Sequence, residues 1–206
     1  MLAFNSIPVW LKGGANLSFD IAESFELLSK ILPKGFTEGV ESIYIGYLPA
    51  DKTNLLSFYD DRAIYLSNNI ASVREAVEAI IHEVGHHLLY QRSEELAEST
   101  LLEDEFLNKL RQLRTRLLQD GIIKSERHFE SSIHSEEREH LLYTELSPEK
   151  AKVMSLYIFP SPYSAVSLAE YFCVGLERML LEPESFRVLQ NYCPQLHSII
   201  SELWYS

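Results

Sequence analysis

Residues 82–86 read His-Glu-Val-Gly-His. On a helix, side chains four apart stand on the same face, so the imidazoles of His82 and His86 can grip one cation together. Glu83 projects beside them, close enough to take a proton from a water on that cation. These are the parts of metal-assisted hydrolysis, in which histidine nitrogens hold zinc and a carboxylate acts as general base. Only three positions define the pattern, so its meaning depends on a real helix and on a third ligand from another element. The plainer reading is two histidines on an ordinary core helix. Against it stands an acid set inside an apolar run.

The helix has its own signals. Ser72, followed three residues later by Glu75, is a capping box ahead of a periodic run. Val73, Ala76, Val77, Ile80, Ile81, Val84, Leu88 and Leu89 recur at helical spacing and predict a broad buried stripe. Gly85 costs about 1 kcal/mol of helix propensity against Ala. Its missing side chain would let another backbone come close to the ligands.

The elements that must position this helix precede it. A helix is predicted over 20–32, with Ile21, Phe25, Leu28, Ile31 and Leu32 on one side and a stop at Pro33 and Gly35. A strand is predicted over 42–48, and 55–59 with 63–67 flank Asp60-Asp61-Arg62 as a hairpin. Such a sheet could hold an extended peptide by strand addition, and any α+β domain could equally contain one. After the motif, 91–150 is charged and helical in pattern, with Leu102, Phe106, Leu110, Leu113 and Leu117 at helical spacing. The stretch 125–140 is polar and suits a loop or a solvated helix. Its histidines, His128, His134 and His140, share no ligand spacing and read as surface residues. Further helices are predicted over 148–157, 164–181 and 184–204, the last interrupted near Pro194. No linker divides the chain, so the expectation is one α+β domain over 1–206, mainly helical, with a small sheet before the metal helix.

Composition narrows the function classes. The 206 residues are 46% hydrophobic and 23% charged, as in ordinary globular proteins. No apolar run is long enough for a membrane span. No signal peptide is visible at the start, which suits a cytoplasmic protein, delivery by another route, or a sequence trimmed at its start. Cys173 and Cys193 are too few for a disulfide framework and are expected to be reduced, structural thiols, with a single bridge between them as the alternative. The net charge of −12 would repel a phosphate backbone, so nucleic acid is not an expected partner. It would attract basic peptide segments, although a soluble charged surface accounts for it as well.

Catalytic zinc takes three protein ligands and keeps a fourth position open. Glu170 is the foremost candidate for the third, because Leu168, Ala169, Tyr171, Phe172, Val174 and Leu176 surround it in an apolar helix. A carboxylate there is costly to bury unless it meets a cation. Glu177 competes, with Arg178 and Glu182 suggesting wetter surroundings. Glu94, Glu95 and Glu98 follow the motif too closely to fold back easily. Tyr163, seven residues before Glu170, could donate to an oxyanion or simply pack.

These residues resemble the anthrax lethal-factor family of zinc metallopeptidases, which includes the secreted Pro-Pro endopeptidases. The likeness lies in His82-Glu-Val-Gly-His86, the Tyr163/Glu170 interval, Ala169-Glu-Tyr-Phe172, and the tail from Leu176-Glu-Arg-Met-Leu-Leu through Pro194-Gln-Leu-His-Ser-Ile-Ile-Ser-Glu-Leu203. It implies a zincin-like fold and Zn²⁺ held by His82, His86 and Glu170. It also implies Glu83 as base and Tyr163 as oxyanion partner. Two features depart from the family pattern: Val174 stands where a second carboxylate is common, and 91–150 looks like an insertion. The expectation is a zinc endopeptidase acting on an extended peptide or flexible protein segment. The alternatives are a cytosolic peptidase dedicated to a repressor-like partner, and a non-catalytic partner-binding module.

Overall fold

The computed structural model describes residues 2–13, 17–92, 100–124 and 129–205. The readings made of Glu94, Glu95, Glu98 and His128 lie outside them. The chain separates into two compact units, Met1–Arg92 and Ser93–Ser206. The fold is α+β, mostly helical, with a five-stranded mixed sheet.

The first unit contains the whole sheet, in the order β1-β2-β3-β5-β4. Strands β1 (Leu2–Phe4) and β2 (Ile7–Leu11) form an antiparallel hairpin. Its turn residues Asn5 and Ser6 both have positive φ, 48° and 73°, as a two-residue hairpin matched to strand twist requires. Helix α1 (Ile21–Ile31) crosses over to β3 (Ser42–Gly46), which pairs parallel to β2. A second hairpin, β4 (Ser57–Asp60) and β5 (Ala63–Ser67), turns on Asp61 and Arg62, and β5 pairs parallel to β3. Helix α2 (Val73–Gln91) follows.

Alternation along the strands decides the faces. Val9, Ile43, Ile45, Ile64 and Leu66 are buried, as are Phe25 and Leu28 of α1 and Ala76, Ile80, Val84 and Leu88 of α2. The alternate residues Tyr44, Tyr65 and Phe58 sit at neighbouring register positions, with ring centroids 5.1 and 4.4 Å apart. Lys12 Nζ lies 4.1 Å over the outer face of this column at Tyr44. Cross-strand aromatic pairs and the cation–π contact brace the sheet on the side away from its core.

The second unit is helical. Its long helix α3 (Thr100–Gln119) buries Leu102, Phe106, Leu110, Leu113 and Leu117, the predicted stripe. Then come α4 (Glu136–His140), a π-helical turn (Leu141–Glu145) and α5 (Pro148–Ser155). Helices α6 (Leu168–Leu181), α7 (Ser185–Tyr192) and α8 (Pro194–Tyr205) complete it. A Cβ on Gly175 of α6 would come within 2.6 Å of the Leu196 side chain, so glycine lets Leu196 seat against the helix. His134 and His140 are exposed, as expected. Both cysteines are free thiols and buried. No helix among the described residues is long and apolar enough to cross a membrane.

Several element boundaries differ from the sequence reading, and one of them bears on the site. The predicted helix 164–181 begins only at Leu168, because the Ser167 hydroxyl accepts from the Glu170 N–H and caps it there. Tyr163 therefore stands on a short 3₁₀ turn (Tyr163–Ala165). Strands β1 and β2 were not expected: β1 has three residues, and Pro8 inside β2 reads as a strand breaker.

Candidate functional site

The candidate residues fall in both units: His82, Glu83 and His86 in the first, Tyr163 and Glu170 in the second.

Helix α2 starts as its sequence dictates. Ser72 Oγ accepts from the Glu75 N–H at 3.1 Å. The Glu75 carboxylate accepts from the Ala71 N–H at 2.6 Å, one residue earlier than the reciprocal contact of a capping box. Two turns on, the His82 and His86 rings lie side by side, centroids 5.1 Å apart and inclined by 68°. Both are half-buried. Two imidazoles on one half-open face are a donor pair that zinc accepts.

Glu83 is only 3% exposed. A buried carboxylate needs hydrogen-bond donors, and the Ser57 hydroxyl of β4 donates to its Oε1 at 2.6 Å. Four residues on, His87 is fully buried, with Nε2 2.8 Å from the Glu38 carbonyl and Nδ1 2.9 Å from the Tyr59 hydroxyl. A carbonyl can only accept, so Nε2 carries the proton and Nδ1 accepts from Tyr59. Burial holds the His87 pKa below its ordinary value, with Arg62 acting the same way and the Glu38 contact opposing. Gln91 Nε2 donates to the same carbonyl. Gly39, at φ 88°, makes room for this approach, since a Cβ there would collide with Gln91.

The periodicities mesh. Ser57 and Tyr59 are two apart on a strand and share a face; Glu83 and His87 are four apart on a helix and share a stripe. Phe58, between the first two, points the other way and stacks on Tyr65. The strand thus holds the helix at two successive turns, which fixes the face that carries His82 and His86. Sequence analysis passed over Ser57, Tyr59 and His87. Their signal was present in the matching two- and four-residue spacings, but their pairing depends on register.

In the second unit, Glu170 is half-buried at the third position of α6, with its N–H on Ser167 Oγ at 3.1 Å. An acid in a first helical turn is favoured by the helix dipole, so Glu170 also has a local structural reason to be there. Tyr143, from the π-helical turn, stands edge-on to Tyr163 with centroids 5.7 Å apart. Tyr143 is 52% exposed as a whole, and its phenol pKa is raised by the partial desolvation of its inner side and by the carboxylates of Glu139 and Glu170. Tyr143 thus packs against Tyr163 and lies within electrostatic range of Glu170. Val174, one turn after Glu170, is buried, so an apolar side chain occupies the place of the carboxylate common in the resembling family.

Arg138 positions this segment. Its fully buried guanidinium donates to the carbonyls of Ser131 (2.9 Å), Ile133 (2.7 Å) and Val166 (2.6 Å). The Leu168 N–H donates to the Ser132 carbonyl at 2.8 Å. Together these tie the start of α6 to the loop before α4. Glu105 does the same for α8, accepting from the Gln195 and Leu196 N–H groups and from the Tyr171 hydroxyl. Sequence reasoning found neither residue, because a buried Arg or a half-buried Glu on a charged stretch looks like any solvated one.

No family model matches the chain, and no curated protein or solved structure gives a significant match.

Proposed function

We propose that this chain is a zincin-like, zinc-dependent endopeptidase that hydrolyses an extended peptide or flexible protein segment. The observation that carries the reading is Glu83: a buried carboxylate held by Ser57, one residue from a half-open pair of imidazoles on the same helix. An acid is seldom buried in a core helix, and this one stands beside the imidazole pair. His82 and His86 would hold the metal. When bound, zinc supplies a Lewis acid that makes water a nucleophile near neutral pH.

Glu83 accepts the proton of the attacking water and passes it to the leaving amine, and Ser57 keeps its carboxylate in one orientation. Tyr163 donates a hydrogen bond to the carbonyl oxygen as it becomes an oxyanion. Glu170 is the proposed third ligand. That Glu170 and Tyr163 serve the same centre as the histidines rests on the sequence resemblance. So does membership of the lethal-factor family.

Zinc content and cleavage of a peptide library test the proposal together. Protein purified without chelator is expected to hold about one zinc, and chelation to abolish cleavage. Glu83→Ala should keep the metal and lose roughly 10²–10⁴-fold in turnover. Glu170→Ala should lose the metal. Wild-type protein without zinc would leave a non-catalytic module as the better reading, and unchanged turnover in Glu83→Ala would remove the base from the mechanism.

A further inference from the structure

The second unit contains a pocket that the peptidase reading does not use. It has a volume of about 460 Å³, within the range of small-molecule sites. Leu142, Leu146, Ala151 and Phe159 are buried and form an apolar floor. One wall is Pro160-Ser161-Pro162. That wall is rigid: besides its prolines, Ser161 and Ser164 exchange hydrogen bonds, with the Ser161 N–H on Ser164 Oγ (3.1 Å) and Ser164 Oγ on the Ser161 carbonyl (2.6 Å). Residues of α5 also line it, and the carbonyls of Met154 and Leu156 at the end of that helix accept from Arg116 at 2.9 and 3.0 Å. The cavity is therefore preformed.

Its charges decide what it suits. The chain has 30 acidic residues and a net charge of −12, yet among the described residues no carboxylate lines this pocket. The charged liners are Lys152 and Arg178. Lys152 is exposed and forms no ion pair among the described residues. Arg178 donates one hydrogen bond to Glu182 Oε2 at 3.4 Å, in an ion pair one turn along the helix. The Tyr143 ring also lines the pocket. An apolar cavity with two cations, on an otherwise acidic protein, is complementary to an aliphatic body bearing one negative charge.

We propose that this pocket binds a small aliphatic monocarboxylate, its chain on the apolar floor and its carboxylate between Arg178 and Lys152. The inference does not depend on the peptidase reading.

Calorimetric titration of the full chain with decanoate, decanol and decylamine tests it. Decanoate should bind about tenfold or more tightly than decanol, as a charge-assisted contact provides, and decylamine weakest of the three. Arg178→Gln should weaken decanoate about tenfold and leave decanol unchanged, and Arg178→Lys should recover part of the loss. Ala151→Phe should abolish both by filling the floor. If it does not fold, the Arg178 pair still decides the matter, because that side chain lies near the surface. Equal affinity for decanoate and decanol would overturn the proposal. So would decanoate binding that survives Arg178→Gln but disappears in His82→Ala, which would place the carboxylate at the metal residues.

Discussion

Replacing Arg138 with methionine keeps the length of the side chain and removes its charge and all its donors. Three backbone carbonyls then lose their partner in a region where Arg138 itself has no solvent exposure. Hydrogen bonds to a charged group contribute about 1.5–3 kcal/mol each, so the gross loss is about 5–9 kcal/mol. Part of that is recovered, because burial of the guanidinium is itself unfavourable. Its pKa is pushed down to about 10, chiefly by desolvation, and the shift corresponds to about 3 kcal/mol of withheld hydration. The expected net destabilisation is therefore about 2–6 kcal/mol, a large share of a typical domain's stability. The chain has two tryptophans, Trp10 in the first unit and Trp204 in the second. Urea unfolding followed by fluorescence in a Trp10→Phe background reports the second unit through Trp204. Arg138→Lys keeps the charge, but one ammonium cannot serve three carbonyls in a fork, so it should fall between wild type and Arg138→Met. A loss below about 1 kcal/mol in Arg138→Met would refute the claim that this residue holds the start of α6. Wild-type stability in Arg138→Lys would refute the role of the fork.

Ser57→Ala removes one hydrogen bond to the buried Glu83, which keeps other contacts; a loss of about 1–2 kcal/mol is expected in urea unfolding of the first unit, and no change would remove Ser57 as a support. Tyr65→Ala breaks both ring stacks in the middle of the sheet and should cost about 2–4 kcal/mol, while Tyr65→Phe keeps the stacks and should stay within about 0.5 kcal/mol. An equal loss in both variants would assign the effect to the hydroxyl. His197, packed on Phe186 with centroids 4.3 Å apart, has its pKa lowered from 6.5 by burial. Below pH 6.5 the unfolded chain therefore takes up a proton that the folded chain refuses, and this contribution is lost on acidification and flat above that pH. His197→Phe should make the acid limb of stability shallower, by at most about 1.4 kcal/mol per pH unit for one proton. Identical pH profiles for the two proteins would show that His197 does not titrate differently on folding.

What could be read in advance was periodic and local. Ser72 and its stripe marked the start of α2, and the five apolar residues of α3 are all buried. The Asp61-Arg62 hairpin was legible because turn residues separate two apolar runs. What escaped was either masked by a contrary signal or set by distant pairing. Pro8 argued against a strand that nevertheless lies between two others in the sheet. The capping signal Ser167-Leu-Ala-Glu170 was present in the sequence, yet the helical pattern was carried back to 164 over it. Arg138 and Glu105 gave no local sign, since their roles depend on carbonyls and N–H groups that only the folded chain brings to them.

The candidate site shows the same division. Spacing located His82, Glu83 and His86, because two ligands four residues apart share one face of a helix. They could not show what orients the helix. A rotation of α2 by one residue, about 100°, would turn the histidine face away and bury other side chains in its place. Apolar packing alone resists this weakly, because Ala, Val, Ile and Leu occupy most of the surrounding helix and can exchange places at modest cost. The polar contacts resist it strongly. Ser57 to Glu83 and Tyr59 to His87 both fail if the helix turns, leaving a carboxylate and an imidazole buried without those partners. The residue that makes the proposed chemistry possible is thus also one of the two that fix the helix in the orientation the chemistry requires.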